Sequence, residues 1–168
     1  GLSHPVLGID HFLAMVSVGI VSAQIGGRAI WTVPSTFVVM MIIGGVLGML
    51  NEIFLFNTLE ILIVLVEMGI ILSVILLGLA IAIEKKLSLM ATMFFVSIFG
   101  LCHGTAHGME MPWAVNPILF AFGFASGTAV LHLFGVGIGS VLIKSTLTNI
   151  ALRLLGIIFT IYGFSLSL

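Results

Sequence analysis

The chain has 168 residues, of which 61% are hydrophobic and only 7% are charged. A water-soluble domain carries roughly 25% charged residues, so this composition excludes a soluble protein and predicts a chain that crosses a membrane several times. The formal net charge of −1 gives no basis for a nucleic-acid partner, and the single cysteine, Cys102, excludes a disulfide within the chain.

Six apolar runs approach or exceed the length of about 20 residues that a membrane-spanning helix needs. Because backbone N–H and C=O groups find no water in hydrocarbon, each run is predicted to be a helix. The predicted fold is a single domain over residues 1–168, an all-α integral membrane protein built as a compact bundle of six transmembrane helices. The predicted spans are Pro5–Gln24, Thr32–Leu50, Thr58–Ile83, Leu87–His107, Asn116–Leu142 and Asn149–Leu166.

When the connections between spans are assigned alternately to the two sides of the membrane, their basic residues all fall on one side. These residues are Arg28, Lys85, Lys86 and Lys144, and Arg153 lies one turn into the last span near the same side. Since short loops rich in Lys and Arg stay in the cytoplasm, both termini are predicted to lie outside, in the periplasm of a bacterial inner membrane. The sequence begins without methionine, which is expected either from a cleaved leader or from missing first residues, and an amino terminus outside the membrane fits a cleaved leader.

Glycines recur at intervals of four residues within several spans. Small residues at this spacing let helix backbones approach closely in lipid, so the pattern predicts tight helix packing and carries no chemistry of its own. The sets are Gly44/Gly48, Gly100/Gly104/Gly108, Gly123/Gly127 and Gly135/Gly139.

The first span opens with the polar residues His4, Asp10 and His11. Ionisable side chains inside a membrane cost at least about 2.5 kcal/mol each, which makes them candidates for a functional site. His4 and His11 share a helix face but lie about 10 Å apart along the axis, so His4 is expected to receive ions at the mouth of the site. Asp10 is expected either to bind a metal or to orient a histidine. The alternative is an Asp–His pair that faces lipid headgroups.

The end of the fourth span reads HGTAHGME, in which His103, His107 and Glu110 fall on one arc of a helix. Two histidines four residues apart can reach the same metal ion, and a carboxylate one turn later can complete the site. The alternative is a pair of core histidines bonded to backbone carbonyls.

The depth of each ionisable residue in the membrane, counted along its span, predicts that the residues of the first, third and fourth spans lie close together. His103 and His107 lie near the outer end of the fourth span, and Asp10 and His11 lie in the outer part of the first. Glu67 lies about 13 Å along the third span, close to the middle of the membrane. These five side chains are expected to line one cavity that opens outward.

His132 is predicted to lie deeper, about 24 Å along the fifth span. We interpret His132 as a binding position that the ion reaches after the outer site. The alternative is that His132 makes a structural hydrogen bond. The nine methionines are interpreted mainly as packing residues.

Histidines combined with carboxylates suit a divalent ion of nickel, cobalt, zinc or copper. Calcium and magnesium prefer sites rich in oxygen ligands. No nucleotide-binding loop occurs in the sequence. The chain is therefore expected to move its ion without hydrolysing ATP and without acting as an enzyme.

Four segments carry a resemblance to a known family: HPVLGIDHFLAMVSVG in the first span, VEMGIILSVILLGLAIA in the third, HGTAHGMEMP after the fourth and FASGTAVLHLFGVGIG in the fifth. Together, and in this order, they resemble the HupE/UreJ family, which is associated with hydrogenase and urease gene clusters and is regarded as a family of secondary nickel or cobalt permeases. The resemblance implies that the motif residues of that family form the site. The corresponding residues are His4, Asp10, His11, Glu67, His103, His107, Glu110, Thr128 and His132.

We therefore expect uptake of a divalent transition metal, with Ni²⁺ first and Co²⁺, Zn²⁺ and Cu²⁺ left open, driven by the membrane potential or a proton gradient. The expected partners are membrane lipid and the metal ion, and a homo-oligomer is left open. One rival is a haem-binding membrane anchor whose axial histidines are His11 or His132 opposite the fourth span. The other rival is a non-transporting accessory subunit whose polar residues bind a protein partner.

Overall fold

The computed structural model describes residues 8–54, 59–84, 87–112 and 115–167, and in these ranges every regular element is an α-helix. The helices are α1 (Ile9–Ile25), α2 (Ala29–Phe54), α3 (Leu59–Ile83), α4 (Leu89–Met109), α5 (Pro117–Leu142) and α6 (Thr146–Ser165). Five of them, α2 to α6, are long and apolar enough to cross a membrane, and α1 is apolar but only 17 residues long. The prediction of an all-α membrane fold is confirmed.

Polar caps explain where three of the helices begin. The side chains of Ser88, Asn116 and Ser145 accept hydrogen bonds from backbone N–H groups in the first turns of α4, α5 and α6. Pro117 occupies the first turn of α5, where its missing N–H leaves no intrahelical bond unmade. Because Ser145 caps α6, this helix begins at Thr146, three residues before the predicted start.

The α1 helix is the core of the bundle, since each residue from Ala14 to Ala23 is buried. A helix that is apolar on every side and buried on every side must be surrounded by other helices. It packs against α2, α3 and α5, and α5 is its closest neighbour. The other two close pairs are α2 with α4 and α3 with α6.

Glycines set the closeness of these pairs. A side chain at Gly104 of α4 would overlap the carbonyl oxygen of Met41 in α2, and one at Gly135 of α5 would overlap the carbonyl oxygen of Val16 in α1. Gly108, Gly44 and Gly48 contact the facing backbone in the same way. The prediction that the glycine stripes serve close helix packing is confirmed for these positions.

Side chains from neighbouring helices satisfy the last carbonyl groups of α3, at the end of the bundle where α1 also ends. Gln24 Nε2 donates to the carbonyl oxygen of Ile81 at 3.2 Å, and Arg153 Nε donates to that of Ala82 at 2.9 Å. These bonds provide the capping that helix ends require and tie α1, α3 and α6 together. We call this the basic end of the bundle, because Arg28 also lies there, and we call the end where α1 begins the histidine end.

The same contacts set the relative height of α1 and α3. Gln24 lies beside Ile81, and the two helices run in the same direction. Fourteen residues earlier in each helix, Asp10 and Glu67 therefore lie at about the same level, roughly 21 Å from that contact. Glu67 is thus close to the histidine end, although its position in the sequence suggested the middle of the membrane.

Candidate metal centre

Three histidines from two helices come together near the histidine end of the bundle. The ring centroid of His11 on α1 lies 4.6 Å from that of His103 and 5.0 Å from that of His107, both on α4. His103 and His107 have no exposed surface, and His11 is 9% exposed. The four-residue spacing places the two α4 rings on one face, and that face is turned toward α1.

The separations suit ligands of a single ion. Two imidazoles bound to one metal through bonds of about 2.1 Å hold their centroids about 5 Å apart. The rings of His11 and His103 meet edge to face, at 87°. Among the described residues, no three His, Cys, Asp or Glu side chains already surround a common point as metal ligands do. Rotation of the rings would be needed to turn their nitrogens toward one ion.

A serine on α3 sets which nitrogen of His103 carries the proton. Ser73 Oγ donates its hydrogen to the carbonyl oxygen of Ile70 at 2.6 Å and lies 3.0 Å from His103 Nε2. Because the hydroxyl hydrogen is already used, Ser73 accepts the bond and His103 Nε2–H donates it. Nδ1 is then the unprotonated nitrogen, and it is buried without a hydrogen-bond partner in the part of the chain that the structure describes. His103 is therefore held in a tautomer that can bind a metal.

Asp10 has the same effect on His11. Asp10 Oδ1 lies 3.2 Å from His11 Nδ1, at the start of α1. A carboxylate that accepts the Nδ1–H bond leaves Nε2 unprotonated, which is the usual arrangement of a carboxylate behind a metal-binding histidine. Nε2 of His11 is buried on the side away from this carboxylate. This geometry places Asp10 beside His11, and both roles predicted for Asp10, metal ligand and orienting group, stay predictions.

Aromatic rings form the apolar wall of the cluster. Phe124 on α5 stacks on His107 at a centroid distance of 5.0 Å and an angle of 14°. Phe37 on α2 lies 5.5 Å from His103 on another side. These rings limit the space in which the histidines can turn.

His132 on α5 lies apart from the three-histidine cluster, with the ring of Phe37 beside it at 5.0 Å. Only 1% of its surface is exposed, and neither ring nitrogen has a hydrogen-bond partner among the described residues. The alternative interpretation of His132, a structural hydrogen bond, thus has no partner in those residues. One turn away, Thr128 donates to the sulfur of Met41 at 3.6 Å.

The structure does not bring all the predicted site residues together. Glu67 is exposed on the side of α3, and Glu110 is exposed at the end of α4. His4 lies outside the described residues. The part of each predicted site residue in metal binding remains a prediction.

Three residues that contact the histidines were not predicted from the sequence: Ser73, Phe37 and Phe124. Ser73 could have been found from the sequence, because it is a hydroxyl residue in an otherwise apolar stretch of the third span. The two phenylalanines could not, because the chain has 13 phenylalanines and the sequence does not distinguish those that face the histidines from those that face lipid.

Comparisons with known proteins identify the family of the chain. The family described as HupE / UreJ protein matches residues 1–166 of the chain. The protein named HupE from Rhizobium leguminosarum bv. viciae is 41% identical over 140 residues, which cover 83% of this chain and 69% of that protein. No solved structure matches the chain. A match over nearly every residue, together with a relative of this similarity, shows that the chain belongs to the HupE/UreJ family.

Proposed function

We propose that the protein is a permease that takes up a divalent transition metal, with Ni²⁺ as its principal substrate and Co²⁺ as the next. The observation that carries the proposal is the convergence of His11, His103 and His107, two of them held in metal-binding tautomers by Asp10 and Ser73. Imidazole nitrogen suits nickel and cobalt well, and the family resemblance names the same two metals.

The charge distribution supports a direction of transport. Asp10, Glu67 and Glu110 lie toward the histidine end, whereas Arg28 and Arg153 lie at the basic end. By the positive-inside rule, the basic end faces the cytoplasm and the histidine end faces the periplasm of a bacterial inner membrane. Carboxylates at the outer mouth would concentrate cations there.

The membrane potential is a sufficient driving force in this proposal. Moving one elementary charge across a potential of about 100 mV is worth about 2.3 kcal/mol, so a divalent ion gains about 4.6 kcal/mol. Because neutral imidazole binds the metal, acid weakens binding at the outer site. Release on the cytoplasmic side then requires only that the ion be bound more weakly there than at the outer site, and it requires no ATP.

The geometry disfavours a haem held by His11 and a histidine of α4. Axial ligands lie on opposite faces of the macrocycle, whereas the rings of His11 and His103 touch at 4.6 Å. A haem held by His132 is tested by the absence of a Soret band from the purified protein. The accessory-subunit alternative is the one that the following experiment separates from ion transport.

Radioactive Ni²⁺ uptake into proteoliposomes with an imposed inside-negative potential tests the proposal. We expect uptake by the wild type and none by the His103→Ala/His107→Ala double variant. Ser97→Ala is a matched control on the same helix, because its hydroxyl donates to the carbonyl oxygen of Met93 within that helix. Uptake by the double variant at the wild-type rate would refute the metal centre, and wild-type protein that binds Ni²⁺ without moving it would identify an accessory subunit.

A further inference from the structure

Thr128 on α5 differs from most of the buried hydroxyl residues in the partner of its hydrogen bond. Thr128 Oγ1 donates to Met41 Sδ on α2, at 3.6 Å. A thioether sulfur is a weak acceptor, so the main structural effect of this bond is to fix the position of a buried sulfur atom. Other buried Ser and Thr side chains donate to a carbonyl oxygen three or four residues earlier in the chain, as hydroxyl residues in membrane helices usually do. These are Ser22, Ser73, Thr92 and Thr105.

Met41 lies at the same height in the bundle as the three-histidine cluster. A Cβ at Gly104, which follows His103 and precedes His107 by three residues, would overlap the Met41 carbonyl oxygen. The backbone of Met41 is therefore in contact with the stretch of α4 that carries the two histidines. Met41 has no exposed surface, so its side chain points into the bundle and away from lipid.

The neighbours of the sulfur–hydroxyl contact on both helices touch the cluster. One turn nearer the basic end on α2, the ring of Phe37 lies 5.5 Å from that of His103. One turn nearer the histidine end on α5, the ring of Phe124 stacks on His107 at 5.0 Å. The sulfur thus lies between two rings that both contact the histidines of α4.

The three-histidine cluster leaves a divalent transition metal with too few ligands. The tetrahedral, square-planar and octahedral geometries of these ions need at least four. Glu67 and Glu110 are exposed, and the Asp10 carboxylate lies against Nδ1 of His11, on the side away from the buried Nε2. The remaining position is thus open to a water molecule or to the buried sulfur.

We propose that the Met41 thioether is a fourth ligand of the transported ion at the three-histidine cluster and a determinant of its specificity. The inference rests on the proposed function and deepens it, because it adds a selective group to the same site. A methionine side chain is unbranched and has three rotatable bonds, so its sulfur can turn from Thr128 toward the ion while the backbone stays in place.

A sulfur ligand separates the expected substrates from the hard cations. Thioether sulfur and imidazole suit soft and borderline transition metals, whereas Mg²⁺ and Mn²⁺ prefer carboxylate, carbonyl and water oxygens. With Met41 in the site, Ni²⁺ and Co²⁺ gain a ligand that Mg²⁺ and Mn²⁺ use poorly.

X-ray absorption at the nickel edge tests the ligand directly, on the full-length chain in lipid nanodiscs with equimolar Ni²⁺. We expect one sulfur atom beside the imidazole nitrogens around Ni²⁺ in the wild type, and only nitrogen and oxygen in Met41→Leu. Met40→Leu is the matched control, because this neighbour on α2 lines a different cavity with Thr36 and Met93, and it should keep the sulfur. A sulfur atom that persists in Met41→Leu would overturn the proposal, since another residue would then supply it.

The affinities of the same variants test the specificity. Met41→Leu conserves volume and should stay folded by circular dichroism. It should bind Ni²⁺ roughly tenfold more weakly, the lower end of the loss seen when a metal site is disturbed, and bind Mn²⁺ as the wild type does. Equal losses for both ions, or none, would overturn the specificity role. Wild-type protein that binds Ni²⁺ through nitrogen and oxygen alone refutes Met41 as a ligand and leaves the proposed function standing, whereas wild-type protein that binds no Ni²⁺ refutes the proposed function.

Discussion

Removing the hydroxyl group of Ser73 is the most direct test of how the metal centre is prepared. In Ser73→Ala, His103 Nε2–H loses the oxygen that accepts its bond at 3.0 Å. His103 has no exposed surface, so water cannot replace that oxygen without a rearrangement. The imidazole is then free to exchange its proton between the two ring nitrogens and to turn within the cluster.

The size of the effect follows from the burial of this bond. A buried donor without a partner costs about 1–3 kcal/mol of folding stability. Loss of the group that orients a metal-binding histidine typically lowers metal affinity by about 10–100-fold, which is about 1.4–2.8 kcal/mol of binding free energy. We therefore expect Ser73→Ala to remain folded, to unfold at a lower temperature and to bind Ni²⁺ at least about tenfold more weakly.

Isothermal titration of Ni²⁺ into the purified protein at neutral pH measures this difference. Ser97→Ala, which removes a partly buried hydroxyl group from α4 at a distance from the histidines, should bind Ni²⁺ like the wild type. If Ser73→Ala binds Ni²⁺ as tightly as the wild type, the hydrogen bond does not prepare His103 and the reasoning about its tautomer is wrong.

Three further changes test other parts of the structure. Gly104→Ala should destabilise the protein by about 1–3 kcal/mol, because its methyl group meets a backbone carbonyl of α2. Gly137→Ala, where a methyl group meets nothing within 4 Å, should not lower the unfolding temperature. Asp10→Ala should reduce Ni²⁺ uptake more than Asp10→Asn, because the amide oxygen of asparagine can still accept the hydrogen bond from His11 Nδ1–H. Equal losses of uptake in the two variants would show that the negative charge of Asp10 matters and the hydrogen bond does not. Phe37→Ala should let Ni²⁺ leak from preloaded proteoliposomes when no potential is applied, because the Phe37 ring lies between His103 and His132. A variant that does not leak would show that this ring does not block the path of the ion.

The sequence predicts the helices well because hydrocarbon leaves the backbone few choices. Its errors lie at the helix ends, where local chemistry decides. The predicted second span ends at Leu50, yet α2 continues to Phe54. The added residues include neither glycine nor proline, so nothing in them stops a helix. The polar residues Asn51 and Glu52 predict a membrane boundary, and a membrane boundary need not coincide with a helix end.

The site was predictable where spacing alone determines contact. His103 and His107 share a face because they are four residues apart, and depth along the spans brought His11 to the same level. The position of Glu67 was not predictable, because depth does not give the direction in which a side chain points. When every face of a helix is apolar, as in α3, the rotation of that helix is set by contacts with other helices, here by glycines and by Ser73.

The burial of α1 from Ala14 to Ala23 has a consequence for how the protein is made. Its closest neighbour, α5, ends at Leu142, which is 117 residues after α1 ends at Ile25. At about 5–20 residues per second, synthesis takes roughly 6–23 s to supply that neighbour. During this interval the buried hydroxyl groups of Ser17 and Ser22 lack their final surroundings. The α1 helix is thus made well before the helix that packs most closely against it, and it reaches its native environment only after α5 has been synthesised.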